Sequence, residues 1–389
     1  MTENQSHKQK ANGSYIAQAD RHGVAIVGES QHIHVHPHPP GSTSVVGSVD
    51  LPPKPYSRLI GRSIELDRIM NAMREPERKP MISVVGLGGI GKTALAREAI
   101  ELCQREQLFD HIVWTTAKVE YFVGEETVKV GVSDYNLDAL LDDIGKRCNR
   151  KGIVEMSPDE KRVAVKYLLK SNHVLIVTDN LETVPRRDEL VNGVFQILGK
   201  SKLLITSRHR IKHERVFTID LEGFAEDEGV VFLREESRER GIEEVAQANR
   251  NSLVEIHQVT GGAPLAMKLV IGQMSRLGMN IVLENLKDAR FEGPDYKFYR
   301  FVFHRSWALL NLDAKKTLVS MSVFAPVIGG TEETIRAVNK VEKQICRESL
   351  DQLVLMSLVS PTASIKNRRY TIHQLTYYFI LSDIVKKWG

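Results

Sequence analysis

The chain has 389 residues, of which 42% are apolar and 26% charged, which suits two or three compact units with real cores. A formal net charge of +4 is small for this length, so charge alone selects neither nucleic acid nor a membrane as partner. No run approaches ~18 consecutive apolar residues, the opening "MTENQSHKQK" has no apolar stretch of a signal peptide, and Cys103, Cys148 and Cys346 are too scattered for a disulfide or metal framework; together these predict a cytoplasmic protein.

Taken in chain order, residues 1–48 alternate polar and apolar in short bursts, "SYIAQADRHGVAIVGES", which predicts two or three small strands before a Pro-rich linker. His32, His34, His36 and His38 fall at every second position and would share one face of an extended chain. With no acidic or Cys partner nearby, an exposed polar strand is the simpler reading than a metal site. Over 49–224, buried runs ("MISVVGL", "HIVWTTA", "HVLIVTDN", "KLLITSR", "VFTIDL") alternate with helical periodicity ("KTALAREAIELCQRE", "YNLDALLDDIGKRC"), the pattern of a parallel sheet covered by helices on both faces. From 225 to 294 the strands stop and a small helical domain is expected. From 295 to 389, helices followed by a hairpin, "LVSPTASIKNRRYTIH", and a last helix predict a winged-helix domain. The fold class is therefore α/β: a parallel sheet with helices on both faces, then a small helical domain, then a winged helix.

The chemistry concentrates in "VVGLGGIGKTALA". Gly86-x-x-x-x-Gly91-Lys92-Thr93 has the phosphate-loop spacing, with a strand before it and a helix after. Glycines let the backbone wrap phosphates with its N–H groups inward, and the following helix adds its positive end. Lys92 is expected at the β and γ phosphates, and Thr93 on Mg²⁺. Asp179, closing the strand in "HVLIVTDNLE", is the candidate acidic partner of that metal.

In "RLIGRSIELDRIM", "FDHIVWTTA", "KLLITSR", "VTGGAPLAMKLV" and "RYTIHQL", in that order, the chain resembles the NB-ARC branch of the STAND family, P-loop ATPases that include plant resistance proteins, apoptosome proteins and bacterial regulators. The resemblance covers about residues 55–389. It implies that the backbone near Gly61 and Arg62 contacts adenine, on which Pro264 packs, and that Arg58 and Leu265 also belong to the nucleotide-binding set. The loop residues Gly86, Gly88, Gly89, Ile90, Gly91, Lys92, Thr93 and Ala94 would hold the phosphates of ATP or ADP. Arg208 would face the terminal phosphate from a strand lying between those carrying Lys92 and Asp179, and His373 would touch the β-phosphate of ADP. Thr93 and Asp179 would hold Mg²⁺.

Two positions depart from the family pattern. Asn180 stands where a second acidic residue often follows the metal-binding Asp, and an amide cannot accept a proton from water. Glu182 could take that role or form a structural ion pair. Gln374 follows His373 where the family usually has Asp. Lys92, Asp179, Asn180, Glu182 and Arg208 thus form the catalytic set of a slow ATPase whose hydrolysis times a switch. The resemblance implies a shut ADP form and an open ATP–Mg²⁺ form that assembles into homo-oligomers, in bacterial defence or signalling, with sensor and effector modules outside the chain. The alternative is an ATP-dependent transcriptional regulator whose hairpin residues Lys366, Arg368 and Arg369 meet DNA phosphates. That reading is weakened by the candidate recognition helix "CRESLDQLVLMSL", which suits packing. A fast motor is disfavoured because no second arginine finger stands out.

Overall fold

The computed structural model describes residues 9–11, 14–18, 24–26, 51, 54, 56, 58–75, 79–116, 135–184, 186–288, 296–324, 328–362 and 368–385. The chain divides into two units, Met1–Val45 and Val46–Gly389. In the first, β1 (Gln9–Ala11), β2 (Ser14–Gln18) and β3 (Val24–Ile26) pair antiparallel in that order, the small strands the alternating sequence predicts. The alternating histidines His32 to His38 and the Pro-rich stretch after them lie outside the described residues, except for a few isolated positions of that stretch.

The second unit begins with α1 (Ser63–Arg74), β4 (Met81–Val85), α2 (Lys92–Arg105), β5 (His111–Thr116), α3 (Leu137–Arg147), α4 (Pro158–Ser171), β6 (Val174–Asp179), α5 (Arg187–Ile197), β7 (Lys202–Ser207) and β8 (Val216–Asp220). The five strands β4–β8 form one parallel sheet in the order β5-β6-β7-β4-β8. Successive side chains of a strand point to opposite faces, so a strand buried on both sides feeds two cores. Ile82, Val84, Leu175, Val177 and Leu204 join one apolar cluster with α1 and α2 residues. Their neighbours Met81, Val174, Ile176, Leu203 and Ile205 join a second with residues of α3, α4 and α5. The continuous apolar runs read as buried strands are thus explained by helices on both faces. A buried cation ties the first helix to this sheet. Lys202, fully buried at the head of β7, donates to the carbonyls of Ala72 (2.8 Å), Glu75 (2.5 Å) and Lys79 (3.1 Å) and so fastens the end of α1.

After β8 come α6 (Glu226–Glu239), α7 (Glu243–Ala246), α8 (Arg250–Thr260), α9 (Pro264–Leu277), α10 (Met279–Asp288), α11 (Tyr296–Ala308) and α12 (Leu312–Ser320). Helix α9 starts on Pro264, whose missing N–H costs nothing at a first helical position, and nine of its fourteen residues are buried, so it runs through the interior rather than over it. The chain continues with β9 (Gly330–Thr331), α13 (Glu332–Asn339), α14 (Lys343–Leu355), β10 (Val359–Pro361), β11 (Arg369–Ile372), α15 (Gln374–Phe379) and a π-helical turn, Ile380–Val385. The predicted hairpin is β10–β11, but it belongs to a three-stranded antiparallel sheet in the order β10-β11-β9. A strand as short as β9 carries no periodicity by which the sequence could announce it.

Candidate functional site

Strand β4 delivers the chain to the carboxyl edge of the sheet at Gly86, whose N–H donates to the Ser207 carbonyl at the end of β7 (3.3 Å). The loop then turns through Gly89 at φ +74° and Gly91 at φ +104° before entering α2 at Lys92. Both angles lie where a side chain is strained, so glycine is needed for the turn itself, and such alternating conformations let successive N–H groups converge on an anion. Lys92 is 7% exposed and donates to the carbonyls of Gly86 (2.8 Å) and Leu87 (2.9 Å). Burial, with the Arg208 cation adding to it and Glu182 and Asp179 opposing it, pushes its pKa down to about 8. A cation held in this way suits a ligand that brings negative charge.

Asp179 ends β6 with 1% of its surface exposed. Its Oδ1 accepts from the Thr93 hydroxyl (2.9 Å) and from the Thr206 hydroxyl of β7 (2.5 Å). Burial raises its pKa, and the two hydroxyls pull in the opposite direction. Thr93 and Asp179 therefore present adjacent hard oxygens, the donor chemistry Mg²⁺ prefers, while water and phosphate oxygens supply the rest of its shell in such sites. Among the described residues there is no cluster of three or more His, Cys, Asp or Glu side chains that would make an all-protein metal cage.

The surroundings of Glu182 are those of an ion pair. One carboxylate oxygen lies 3.2 Å from Arg208 Nε, and the other accepts the Arg208 backbone N–H at 3.3 Å. Glu182 is thus the partner that holds Arg208. Asn180 sits in the left-handed region at φ +60°, with its N–H on Thr206 Oγ1 (3.0 Å) and its amide on Asp179 (3.3 Å).

The later elements reach the same loop. The Leu265 N–H, at the start of α9 beside Pro264, donates to the Gly89 carbonyl (3.2 Å), and a Cβ on Gly89 would lie 2.7 Å from that of Leu265. A Cβ on Gly88 would meet the methyls of Leu375 at 3.1 and 3.3 Å and the Arg208 guanidinium carbon at 3.4 Å. Leu375 is two residues beyond His373, which caps α15: its Nδ1 accepts the Leu375 N–H at 3.1 Å. In the neutral ring the proton is then on Nε2, leaving that nitrogen as a donor. The His373 side chain keeps solvent access, yet enclosure by the surrounding walls and the cations Arg208, Lys92 and Lys268 hold its pKa at about 3. Lys92, Asp179, Arg208, Pro264, Leu265 and His373, far apart in sequence, thus gather around one loop.

The opening segment is placed differently in detail. The Arg62 side chain, 4% exposed, donates to the carbonyls of Ile90 (3.3 Å) and Glu222 (2.7 Å) and covers the Phe224 ring at 4.6 Å, so it braces the loop from behind. Gly61, at φ +59°, packs against Glu228, and Arg58 is an exposed residue paired with Glu235. The Ala94 carbonyl accepts from the Tyr56 hydroxyl at 3.0 Å. Sequence reasoning passed over Thr206, Leu375 and Lys268. A threonine in a buried strand two residues before Arg208 is a faint signal for the first, and nothing local marks the other two. Of the hairpin basic residues, Lys366 lies outside the described residues and Arg368 is exposed, while Arg369 is spent on the carbonyls of Ile328 and Gly329 (2.8 Å each).

Residues 62–241 match the NB-ARC domain family. The chain is similar to the transcription activator GutR of Bacillus subtilis, 23% identical over 349 residues, covering 84% of this chain and 40% of GutR. It is also similar to the disease resistance protein RPP13 of Arabidopsis thaliana, 25% identical over 256 residues, covering 64% of this chain and 30% of RPP13. Among solved structures, a STAND protein with a tetratricopeptide repeat sensor from Pyrococcus horikoshii superposes with a TM-score of 0.54 at 20% identity, over 86% of this chain and 44% of that one. The chain therefore spans less than half the length of each of these relatives. With a phosphate loop built on a parallel sheet and a family match across residues 62–241, the chain carries an NB-ARC domain and has the fold of a P-loop NTPase.

Proposed function

We propose that the chain is a nucleotide-gated switch, shut around ADP and released by ATP–Mg²⁺ into an oligomerising form, with slow hydrolysis as its timer. The observation that carries the reading is the meeting of three parts of the chain at one loop. Gly89 touches Leu265 of α9, and Gly88 touches Leu375 beside His373. We read α12–α14 with the β9–β11 sheet as a winged helix, and α6–α10 as the small helical domain. A ligand shifts such an equilibrium only through contacts that differ between its two arrangements. His373 stands on the part that would move, and its Nε2 donor would pair with a phosphate oxygen only while that part is docked.

Lys92 and the loop N–H groups would bind and orient the phosphates. Thr93 and Asp179 would hold Mg²⁺, which when bound neutralises phosphate charge. Because Glu182 is occupied by Arg208, no carboxylate next to Asp179 stands ready as a base, which supports slow turnover. The test is the nucleotide carried by the purified protein, followed by mass in solution. ADP that survives gel filtration, and a larger species formed with an ATP analogue and the activating signal, are expected. An unchanged mass with bound analogue and signal present would refute the switch. A second reading, transcriptional control, draws on the similarity to a transcription activator over most of this chain. A salt-dependent gel shift on duplex DNA would support it, although Arg369 is already committed to backbone carbonyls.

A further inference from the structure

Helix α9 does more than close one wall of the site. Its N-terminal residue pair reaches the phosphate loop, and seven residues later, about 10 Å along a helix, Gly272 lies against the turn that follows α14. A Cβ on Gly272 would fall 2.7 Å from both the carbonyl carbon and the oxygen of Met356. The next residue, Ser357, is held in the left-handed region at φ +60°, a conformation a non-glycine residue keeps only when its surroundings impose it. Those surroundings are specific. The Ser357 hydroxyl donates to the carbonyl of Lys268 on α9 and accepts from Arg240. The same Arg240 Nη1 reaches the carbonyls of Val354 (3.4 Å) and Leu355 (3.2 Å) at the end of α14, where a cation also complements the helix dipole. Its Nε is anchored at 2.7 Å by Glu236 of α6, which is buried and also pairs with Lys268 (3.1 Å).

We infer that Arg240, Glu236, Lys268 and Ser357, with the glycine contact at Gly272, form a clamp that docks the C-terminal part on the helical domain independently of the nucleotide. None of its hydrogen bonds involves the phosphate loop, so it holds the shut arrangement from a second place. Arg240 and Glu236 are positioning residues: they touch neither the loop nor its predicted ligand contacts. Lys268 belongs to both regions, since its ammonium pairs with Glu236 and its charge also acts on His373. The clamp rests on the reading that the C-terminal part moves.

The test uses the full chain carrying Arg240→Ala or Gly272→Ala, the first removing the polar hold and the second driving a methyl into the Met356 backbone. Small-angle scattering on ligand-free protein should show a larger radius of gyration for both variants than for wild type. A fluorescent ADP analogue should leave both roughly tenfold faster, while the circular dichroism of the sheet domain is unchanged. Arg240→Lys keeps the charge opposite Glu236 but lacks the fork that spans Ser357 and the helix end, and should resemble Arg240→Ala. If either main variant misfolds, Ser357→Ala removes one hydroxyl only and should shift both readouts in the same direction. Variants as compact as wild type, or with wild-type release, would overturn the clamp. Wild type that binds no ADP would instead refute the proposed function, and the ligand-free scattering would still decide on the clamp.

Discussion

Replacing Lys92 by Met separates the cost of holding a buried cation from its use. Its pKa falls from an ordinary 10.5 to about 8 on folding, with 7% of the side chain exposed, which corresponds to about 3 kcal/mol against the folded, charged form. The sign follows from linkage: between pH 8 and 10.5 the unfolded chain binds the extra proton, so stability rises with pH across that window, and at neutral pH the whole penalty is present. Met fills the space of the stem without the charge. Against the relief stand the charge-assisted hydrogen bonds to Gly86 and Leu87, at about 1.5 kcal/mol each or somewhat more. The two contributions nearly cancel, so the net expectation is a ligand-free variant about as stable as wild type. Calorimetry on nucleotide-stripped protein would read this as a melting temperature within a few degrees of wild type. ADP should raise the melting temperature of wild type and leave Lys92→Met unmoved. A ligand-free variant that melts several degrees below wild type would show that Lys92 is a pillar of the fold, and the reasoning would fail.

Glu182→Gln should change ATP turnover less than tenfold, because the carboxylate holds Arg208; a loss of about 10²–10⁴-fold in single-turnover assays would make it the general base instead. Tyr299 of α11 is 3% exposed and its hydroxyl has no partner among the described residues, so Tyr299→Phe should raise ligand-free stability by about 1 kcal/mol in urea titrations. A fall would reveal a hydroxyl that is satisfied in solution. His373 has a depressed folded-state pKa, so the stability it leaves to the fold is present above about pH 6.5 and declines as pH falls toward 3. Solvent access to the ring keeps the decline shallow, and His373→Gln should flatten it. A variant whose melting temperature still tracks wild type between pH 6.5 and 4.5 would place the acid sensitivity elsewhere.

What the sequence made legible is what a short stretch encodes by itself. The loop from Gly86 to Thr93 is written in glycine spacing because backbone angles demand it, and Asp179 is marked by an apolar strand ending in a carboxylate. The parallel sheet followed from continuous apolar runs, which only strands covered on both faces tolerate. Contacts between distant segments were not legible from residues alone. Nothing near Leu375 says that it will rest on Gly88, and the family resemblance pointed to His373 two residues away. The resemblance put Arg62 near adenine through its backbone; the side chain, which it left unassigned, is used to brace the loop through Ile90 and Glu222. Glu182 stayed ambiguous because an acidic residue three positions after a metal-binding Asp fits both a base and an ion pair, and the contact with Arg208 that favours the ion pair is not written in the local sequence.

The charges around the loop bear on how such a switch opens. Asp179 is engaged by two hydroxyls, Glu182 by Arg208, and Glu236 by Arg240 and Lys268, so the cations that act on His373 are balanced elsewhere or await an anion. Exchange of a diphosphate for a triphosphate alters a few charge-assisted hydrogen bonds, each worth about 1.5–3 kcal/mol. Taking a population from 1:99 to 99:1 needs about 5.5 kcal/mol. One altered contact at His373 therefore biases the equilibrium without completing it, and the clamp at Arg240 and Gly272, which does not sense the nucleotide, sets the starting population on which that bias acts. Weakening the clamp should then turn an ATP analogue from a partial into a sufficient trigger. In scattering, Gly272→Ala with the analogue should be fully extended, wild type with the analogue only partly so, and wild type with ADP compact. If the variant with the analogue stays as compact as wild type with ADP, the two holds are not independent contributions to one equilibrium.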